Sequence, residues 1–434
     1  MRKAWLTLAL VLFTLNLRAD DLPRRGTAGV AIANLTADES AKLGGNGIRV
    51  RAVIPGGPAE KVGIAAEDVL TGFENAIAFT ARVASMKPGE KLALTIRRGG
   101  ETLKKEVTIE PRPLEKSSDY AIDYGFVSAD GNRYRTIVTR PKGDGPFPTI
   151  FLVQGVGCFS VDNPGPGFSY LPVVENWTRR GFLTLRVDKP GTGDSEGGPC
   201  PAVDFQTEVR AYSAALKGLE SNRYADKKNI FLFGHSMGGI MAPLVARALP
   251  LRGIAVYGTG FNSWLAYTLE NTRRQMRLAG ADWADVATEE KKQELFASLF
   301  YVQRKSLEQI LTEHPEFKED FPDGKTLAAG KYAVYFQQIY DLELAKSWKE
   351  LDMPVLAMWG SSDFVSNESD HRALAEAMSQ WHKGKGTFYK LENTDHWLHT
   401  VPDFGASLKQ GPQTGEHNTK FDAAIADFFE KNKA

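Results

Sequence analysis

The stretch Asn229-Ile230-Phe231-Leu232-Phe233-Gly234-His235-Ser236-Met237-Gly238-Gly239-Ile240-Met241-Ala242 reads as a buried strand, a glycine-pinched turn and a helix of small and apolar residues. A strand that runs directly into a tight turn and out into a helix thrusts the tip residue, Ser236, onto the rim of a sheet. Its hydroxyl can act there as a nucleophile, and the helix N-terminus behind it favours a developing oxyanion. The pattern G-x-S-x-G occurs twice, because Gly193-Asp194-Ser195-Glu196-Gly197 also satisfies it. Ser195 is followed by Gly197-Gly198-Pro199-Cys200-Pro201, which cannot be helical, and two acidic neighbours oppose an alkoxide there. Ser236 is therefore the candidate nucleophile.

The chain has 434 residues, with Lys+Arg and Asp+Glu both 53. That balance points away from nucleic acid and polybasic membrane binding. At the N-terminus, Arg2 and Lys3 precede an apolar run from Ala4 to Leu17, and Leu17-Arg18-Ala19 offers a cleavage site. This reads as a secretory signal peptide over residues 1–19; the alternative is a membrane anchor, for which the run is short against the roughly 20 residues of a span. Export, to the periplasm or out of the cell, would place Cys158 and Cys200 in an oxidising compartment. They form a disulfide or stay as two free buried thiols, and no metal site is expected of them.

Pro111-Arg112-Pro113, followed by Glu115-Lys116-Ser117-Ser118, reads as an interdomain linker over 113–118. Before it the chain is short-stranded and glycine-punctuated. Gly47–Val53 alternates as a half-buried strand, Pro55–Gly63 is a turn and short helix, Asp68–Phe73 is a strand, and Leu92–Arg98 turns at Gly99-Gly100 into a last strand through Ile109. The Pro-Gly-Gly-Pro-Ala turn at 55–59, Gly63, Asp68-Val69-Leu70 and the Pro88-Gly89 to Arg97 segment make residues 24–112 resemble a PDZ domain of the bacterial periplasmic-protease type. The resemblance implies strand addition of a protein C-terminus, with the loop Gly26-Thr27-Ala28-Gly29-Val30 capturing the carboxylate. Thr27 and Ala28 depart from the family's apolar-glycine pattern there. The other reading is a domain that only packs against its neighbour.

After residue 118 strands alternate with helices: strands at Tyr134–Arg140, Thr149–Gln154, Phe182–Asp188, Asn229–Phe233 and Gly253–Tyr257, with helices at Tyr170–Arg180, Phe205–Glu220 and Ser236–Leu249. This predicts an α/β class, a mostly parallel sheet covered on both faces. Residues 261–350 read as wholly helical, a lid, before strands resume at Pro354–Trp359 and 386–391 and a final helix follows at 418–431.

A serine nucleophile needs a base, and the base an orienting acid. His235 sits beside Ser236 in the turn, His314 in the helical segment, His371 and His382 at the ends of the helix after Trp359, and His417 at the last helix. His396 and His399 remain, beyond the strand end at Leu391, with His396 the better placed. Asp363 follows the strand Val355–Trp359, whereas Glu368 and Asp370 fall on the next helix and read as solvated.

Ser236, Asp363 and His396 stand in the chain order of the α/β-hydrolase superfamily, which residues 119–434 resemble. The resemblance implies Ser236 as nucleophile, His396 as base then acid, Asp363 as its orienter, and the Met237 N–H in the oxyanion hole. The second donor would come from Gln154-Gly155-Val156-Gly157-Cys158, with Val156 ahead of Gly157. The segment Arg186–Gly197 resembles the loop after the fourth strand in esterases and serine aminopeptidases of this fold. The expected activity is cleavage of a carboxylic ester through an acyl-enzyme, without cofactor. A serine peptidase fed by the PDZ-like domain is the alternative, and a binding protein that kept the fold is a third reading.

Overall fold

The computed structural model of the chain describes residues 22–162, 170–321, 324–410 and 415–434, so the apolar run expected as a signal peptide lies outside the described residues. The N-terminal strands are β1 (Gly26–Thr27), β2 (Val30–Asn34), β3 (Gly47–Val53), β4 (Val69–Thr71), β5 (Lys91–Arg98), β6 (Glu101–Thr108) and β7 (Glu110–Pro111). Among the described residues, β2 to β6 form a five-stranded antiparallel sheet in sequence order, and β1 pairs with β7. Along β5, Leu92, Leu94 and Ile96 point inward and alternate with exposed residues, as a sheet with one wet face requires. Pro58 opens the helix Pro58–Lys61. Two further helices, Ala37–Leu43 and Ala76–Ala84, are capped by the side chains of Thr36 and Asn75. The sequence reading missed both. Each is short, and one apolar side chain of the second, Phe79, is buried against Phe73.

The second sheet comprises β8 (Ala121–Ala129), β9 (Asn132–Arg140), β10 (Phe147–Val153), β11 (Leu183–Val187), β12 (Ala225–His235) and β13 (Gly253–Tyr257), and, after the hairpin strands β14 (Thr326–Ala328) and β15 (Lys331–Tyr332), β16 (Val355–Gly360) and β17 (Gly386–Leu391). Its order is β8-β9-β11-β10-β12-β13-β16-β17, parallel from β11 to β17, with β8 and β9 antiparallel. This is the α/β-hydrolase fold. Strands β11, β13 and β16 are buried along their whole length, β10 over all but its first two residues, and the sheet carries an apolar core on each face.

Two expectations need correction. Strand β8 was not foreseen, although Asp130-Gly131, both at positive φ, is the turn that joins it to β9 as a hairpin. Residues 261–350 are not wholly helical: among helices including Trp264–Leu278, Trp283–Ala297, Leu307–Glu313, Ala333–Tyr340 and Leu344–Lys349 sits the β14–β15 hairpin. Gly330, at φ 75°, lies in its turn.

The N-terminal region is tied to the large sheet by ions. Arg24 bonds both Asp162 (2.5 Å) and Asp194 (2.6 Å), and the buried Arg135 donates to the carbonyl of Leu22 (2.5 Å). A cavity of 880 Å³ lies between the two parts, with Ile32, Thr80 and Ala84 on one wall and Cys158, Cys200 and Tyr332 on the other.

Candidate active site

Ser236 sits between the end of β12 and the helix Met237–Val245, at φ 55° and ψ −121°. That conformation is costly for a residue with a Cβ, on the order of 1–3 kcal/mol, and persists only where its surroundings enforce it. The enforcement is close packing. A Cβ on Gly238 would lie 2.1 Å from the carbonyl oxygen of Val153 at the end of β10. The helix therefore presses against the strand that leads into the 154–158 loop, and only glycine fits between them.

The hydroxyl of Ser236 lies 3.0 Å from Nε2 of His396, and Nδ1 of His396 lies 2.9 Å from Oδ2 of Asp363. A carboxylate only accepts, so Nδ1 carries the proton and Nε2 is left to accept from the Ser236 hydroxyl. Asp363 is fully buried, yet its two oxygens also accept from the Val365 N–H (2.7 Å), the Ser366 N–H (2.9 Å) and the Ser366 hydroxyl (2.6 Å). Burial alone would raise its pKa; the pairing with His396, which would attract it more strongly as an imidazolium, and these bonds outweigh that and hold it down to about 2. Such an arrangement can draw a proton from the serine while the acid stays ionised.

His399 lies against the Asp395 carboxylate (3.4 Å) and bridges to His417 through the backbone. Val156 follows Gly155, and a Cβ on Gly155 would lie 3.1 Å from Cβ of Ser236. The N–H groups of Val156 and Met237 have no acceptor among the described residues. Gly157, at φ 109°, turns the loop toward Cys158. Cys158 and Cys200 are joined by a disulfide, 42 residues apart in sequence. In the N-terminal loop, Gly26 and Thr27 form β1, Ala28 is buried, the Gly29 N–H is taken by the Thr27 hydroxyl (3.0 Å), and Val30 begins β2.

Ser195 is fully buried, its hydroxyl held between the N–H of Arg135 (2.9 Å) and the carbonyl of Asp188 (2.6 Å). Asp370 corrects the sequence reading. It is buried rather than solvated, and accepts from the N–H groups of Phe261 (3.1 Å) and Asn262 (2.7 Å) beyond β13. His371 lies inside the helix Glu368–Trp381 rather than at its end, and accepts from the Thr259 N–H (3.0 Å). That face of the helix is covered because backbone N–H groups of Thr259, Phe261 and Asn262, more than 100 residues earlier in the chain, bind to it.

Three groups around the serine were not foreseen. Ser366 is legible in principle, since a hydroxyl three residues after an aspartate is a common local turn partner. The Tyr170 hydroxyl accepts from the Gly155 N–H (3.2 Å) and reaches Nδ1 of His235 (2.6 Å), and Lys189 donates to the Gly155 carbonyl (2.8 Å). Both are long-range contacts for which no sequence spacing gives a signal. Among the described residues, no group of His, Cys, Asp or Glu could hold a metal ion.

The family model of serine aminopeptidase, S33, matches residues 167–399. Esterase EstD from Thermotoga maritima is 24% identical over 245 residues, covering 56% of this chain and 53% of EstD, so the chain spans about half the length of that relative. A probable periplasmic serine endoprotease DegP-like from Brucella suis is 37% identical over 100 residues, covering 21% of this chain and 20% of that protein. The ferulic acid-bound structure of Est1E from Butyrivibrio proteoclasticus has a TM-score of 0.46 and 16% identity, covering 71% of this chain and 98% of Est1E.

Proposed function

Because the chain belongs to the serine aminopeptidase S33 family, we propose that it is a serine hydrolase that cleaves carboxylic esters through an acyl-enzyme on Ser236. The observation that carries this is the hydrogen-bonded series from Ser236 through His396 to Asp363, at 3.0 and 2.9 Å. Oγ of Ser236 attacks the ester carbon as its proton passes to Nε2 of His396. The leaving alcohol takes that proton, and a water repeats the exchange to free the acid and restore the serine. The N–H groups of Met237 and Val156 hold the oxyanion, with Gly157 as the other candidate donor. The likeness to esterase EstD supports an ester rather than an amide.

A second reading, peptide cleavage, is favoured by one feature. Strand β2 is an edge strand, and Ala28, Val30, Ile32, Phe79 and Val83 line a cleft beside it. A PDZ-like domain would add an extended peptide at such an edge. Capture of a terminal carboxylate by the 26–30 loop is weakened by the Thr27 hydroxyl, which already occupies the Gly29 N–H. Export is part of the proposal, supported by the apolar N-terminal sequence, the disulfide and the likeness to a periplasmic protein.

The test uses purified protein and Ser236→Ala on acyl nitrophenyl esters and aminoacyl anilides. Ester turnover that vanishes in Ser236→Ala supports the proposal. Activity surviving the substitution refutes the nucleophile, and efficient anilide cleavage with poor ester turnover refutes the esterase reading.

A further inference from the structure

Behind the serine lies a buried ionic cluster that the proposed reaction does not use. Lys189, Glu208 and Lys331 are all without solvent exposure. Lys331, from β15, donates to Oε1 of Glu208 (2.6 Å) and to the carbonyls of Cys200 (2.8 Å) and Val203 (3.4 Å). The Tyr335 hydroxyl donates to Oε2 of Glu208 (3.1 Å). Lys189, just beyond β11, lies 3.5 Å from the same oxygen and gives its closest bond to the carbonyl oxygen of Gly155 (2.8 Å). Two ammonium groups thus share one carboxylate. An excess buried charge is expensive unless its donors are well used.

The carbonyl of Gly155 belongs to the same peptide group as the N–H of Val156. That group is planar and trans, so its C=O and N–H point in opposite directions. Whatever fixes the oxygen fixes the direction of the N–H. The preceding peptide is fixed as well, because the Gly155 N–H donates to the Tyr170 hydroxyl (3.2 Å). We infer that Lys189 is a positioning residue: its ammonium pins the Gly155 carbonyl and so aims the Val156 N–H at the oxyanion formed on Ser236. Glu208 holds Lys189 in place, and Lys331 and Tyr335 extend that support to the segment inserted between β13 and β16. Burial pulls the pKa of Lys189 down to about 8, with Glu208 opposing the shift and Lys331 adding to it, so the group is still cationic at neutral pH.

The inference rests on the proposed role of Val156 as an oxyanion donor. Lys189→Met is the decisive variant, since Glu208 keeps Lys331 as its partner and the cluster becomes a neutral pair. Removing an oxyanion donor outright costs about 10²–10³ in kcat, so a donor left unaimed is expected to cost about 10–100-fold. The expected result on 4-nitrophenyl acetate is that fall in kcat with little change in KM. A trifluoromethyl ketone, which forms an oxyanion on the serine, should lose affinity by a similar factor. An unchanged kcat overturns the inference, as does a lower kcat with ketone affinity intact. Crystal structures of wild type and variant provide a readout independent of turnover: the Gly155–Val156 peptide should turn in the variant, and an unchanged orientation overturns the inference. If Lys189→Met does not fold, Lys189→Leu, which likewise cannot donate to the Gly155 carbonyl, replaces it and is judged by the same peptide orientation. Full turnover in Ser236→Ala would refute the nucleophile alone, leaving the crystallographic comparison to judge Lys189.

Discussion

The imidazole of His235, the residue before Ser236, donates from Nε2 to the backbone carbonyl of His396 at 2.9 Å. Its Nδ1 accepts from the Tyr170 hydroxyl, which in turn accepts from the Gly155 N–H. One neutral histidine therefore joins the loop that carries His396 to the loop beside Ser236. Burial pushes its pKa down to about 3, with the nearby His396 adding to the shift. In the unfolded chain a histidine titrates near 6.5. Below that pH the unfolded state takes up a proton that the native state refuses, until about pH 3. Stability should thus fall as pH drops from about 6.5 to 3, by about 1.4 kcal/mol per pH unit for this one proton. Denaturant unfolding of wild type and His235→Gln between pH 6.5 and 4.5 checks this, above the window in which Asp363 titrates. An equal pH slope in both proteins would refute it.

Gly238→Ala should destabilise the fold and abolish turnover together. The added Cβ would meet the Val153 carbonyl at 2.1 Å, and neither strand β10 nor the helix can yield cheaply. The expected loss is about 1–3 kcal/mol or more, read as a lower denaturation midpoint. Gly45→Ala is the control, because its Cβ would meet nothing within 4 Å, and its midpoint should stay put.

Loss of the Cys158–Cys200 disulfide opens a loop of 42 residues in the unfolded chain. The chain-entropy estimate gives about 4 kcal/mol for that length. Unfolding of Cys158→Ala/Cys200→Ala in urea measures it. Cys158 also ends the 154–158 loop, so ester turnover should fall under conditions in which the double variant remains folded.

Glu208→Gln should cost more stability than Lys189→Met. The first leaves Lys189 and Lys331 buried without a counter-charge, for which about 3–5 kcal/mol is expected. The second keeps the Glu208–Lys331 pair at 2.6 Å. Equal midpoints for the two variants would show that the carboxylate does not hold the cluster.

The residues brought together around Ser236 differ in how far the sequence announced them. The strand and helix flanking Ser236 were readable because the conformational demand is local: an apolar run, small residues at close contacts, and a helix that starts at once. Asp363 and His396 were readable because each follows a strand end, and a parallel sheet gathers those ends along one edge. Strand β8 and the β14–β15 hairpin were missed where turns of two residues, not periodicity, carried the signal.

Local pattern in the chain accounts for the parallel strands, the turn at Ser236 and the chain order Ser236, Asp363, His396. Tertiary structure decided what surrounds them. Asp370 is buried and binds the N–H groups of Phe261 and Asn262, His235 bridges to His396, and Lys189 grips Gly155 from the end of the neighbouring strand. The reason is physical. Backbone preference and hydrophobic pattern act over a few residues and leave their mark in spacing. A hydrogen bond between residues 34 or 161 positions apart depends on how whole elements pack, and leaves none.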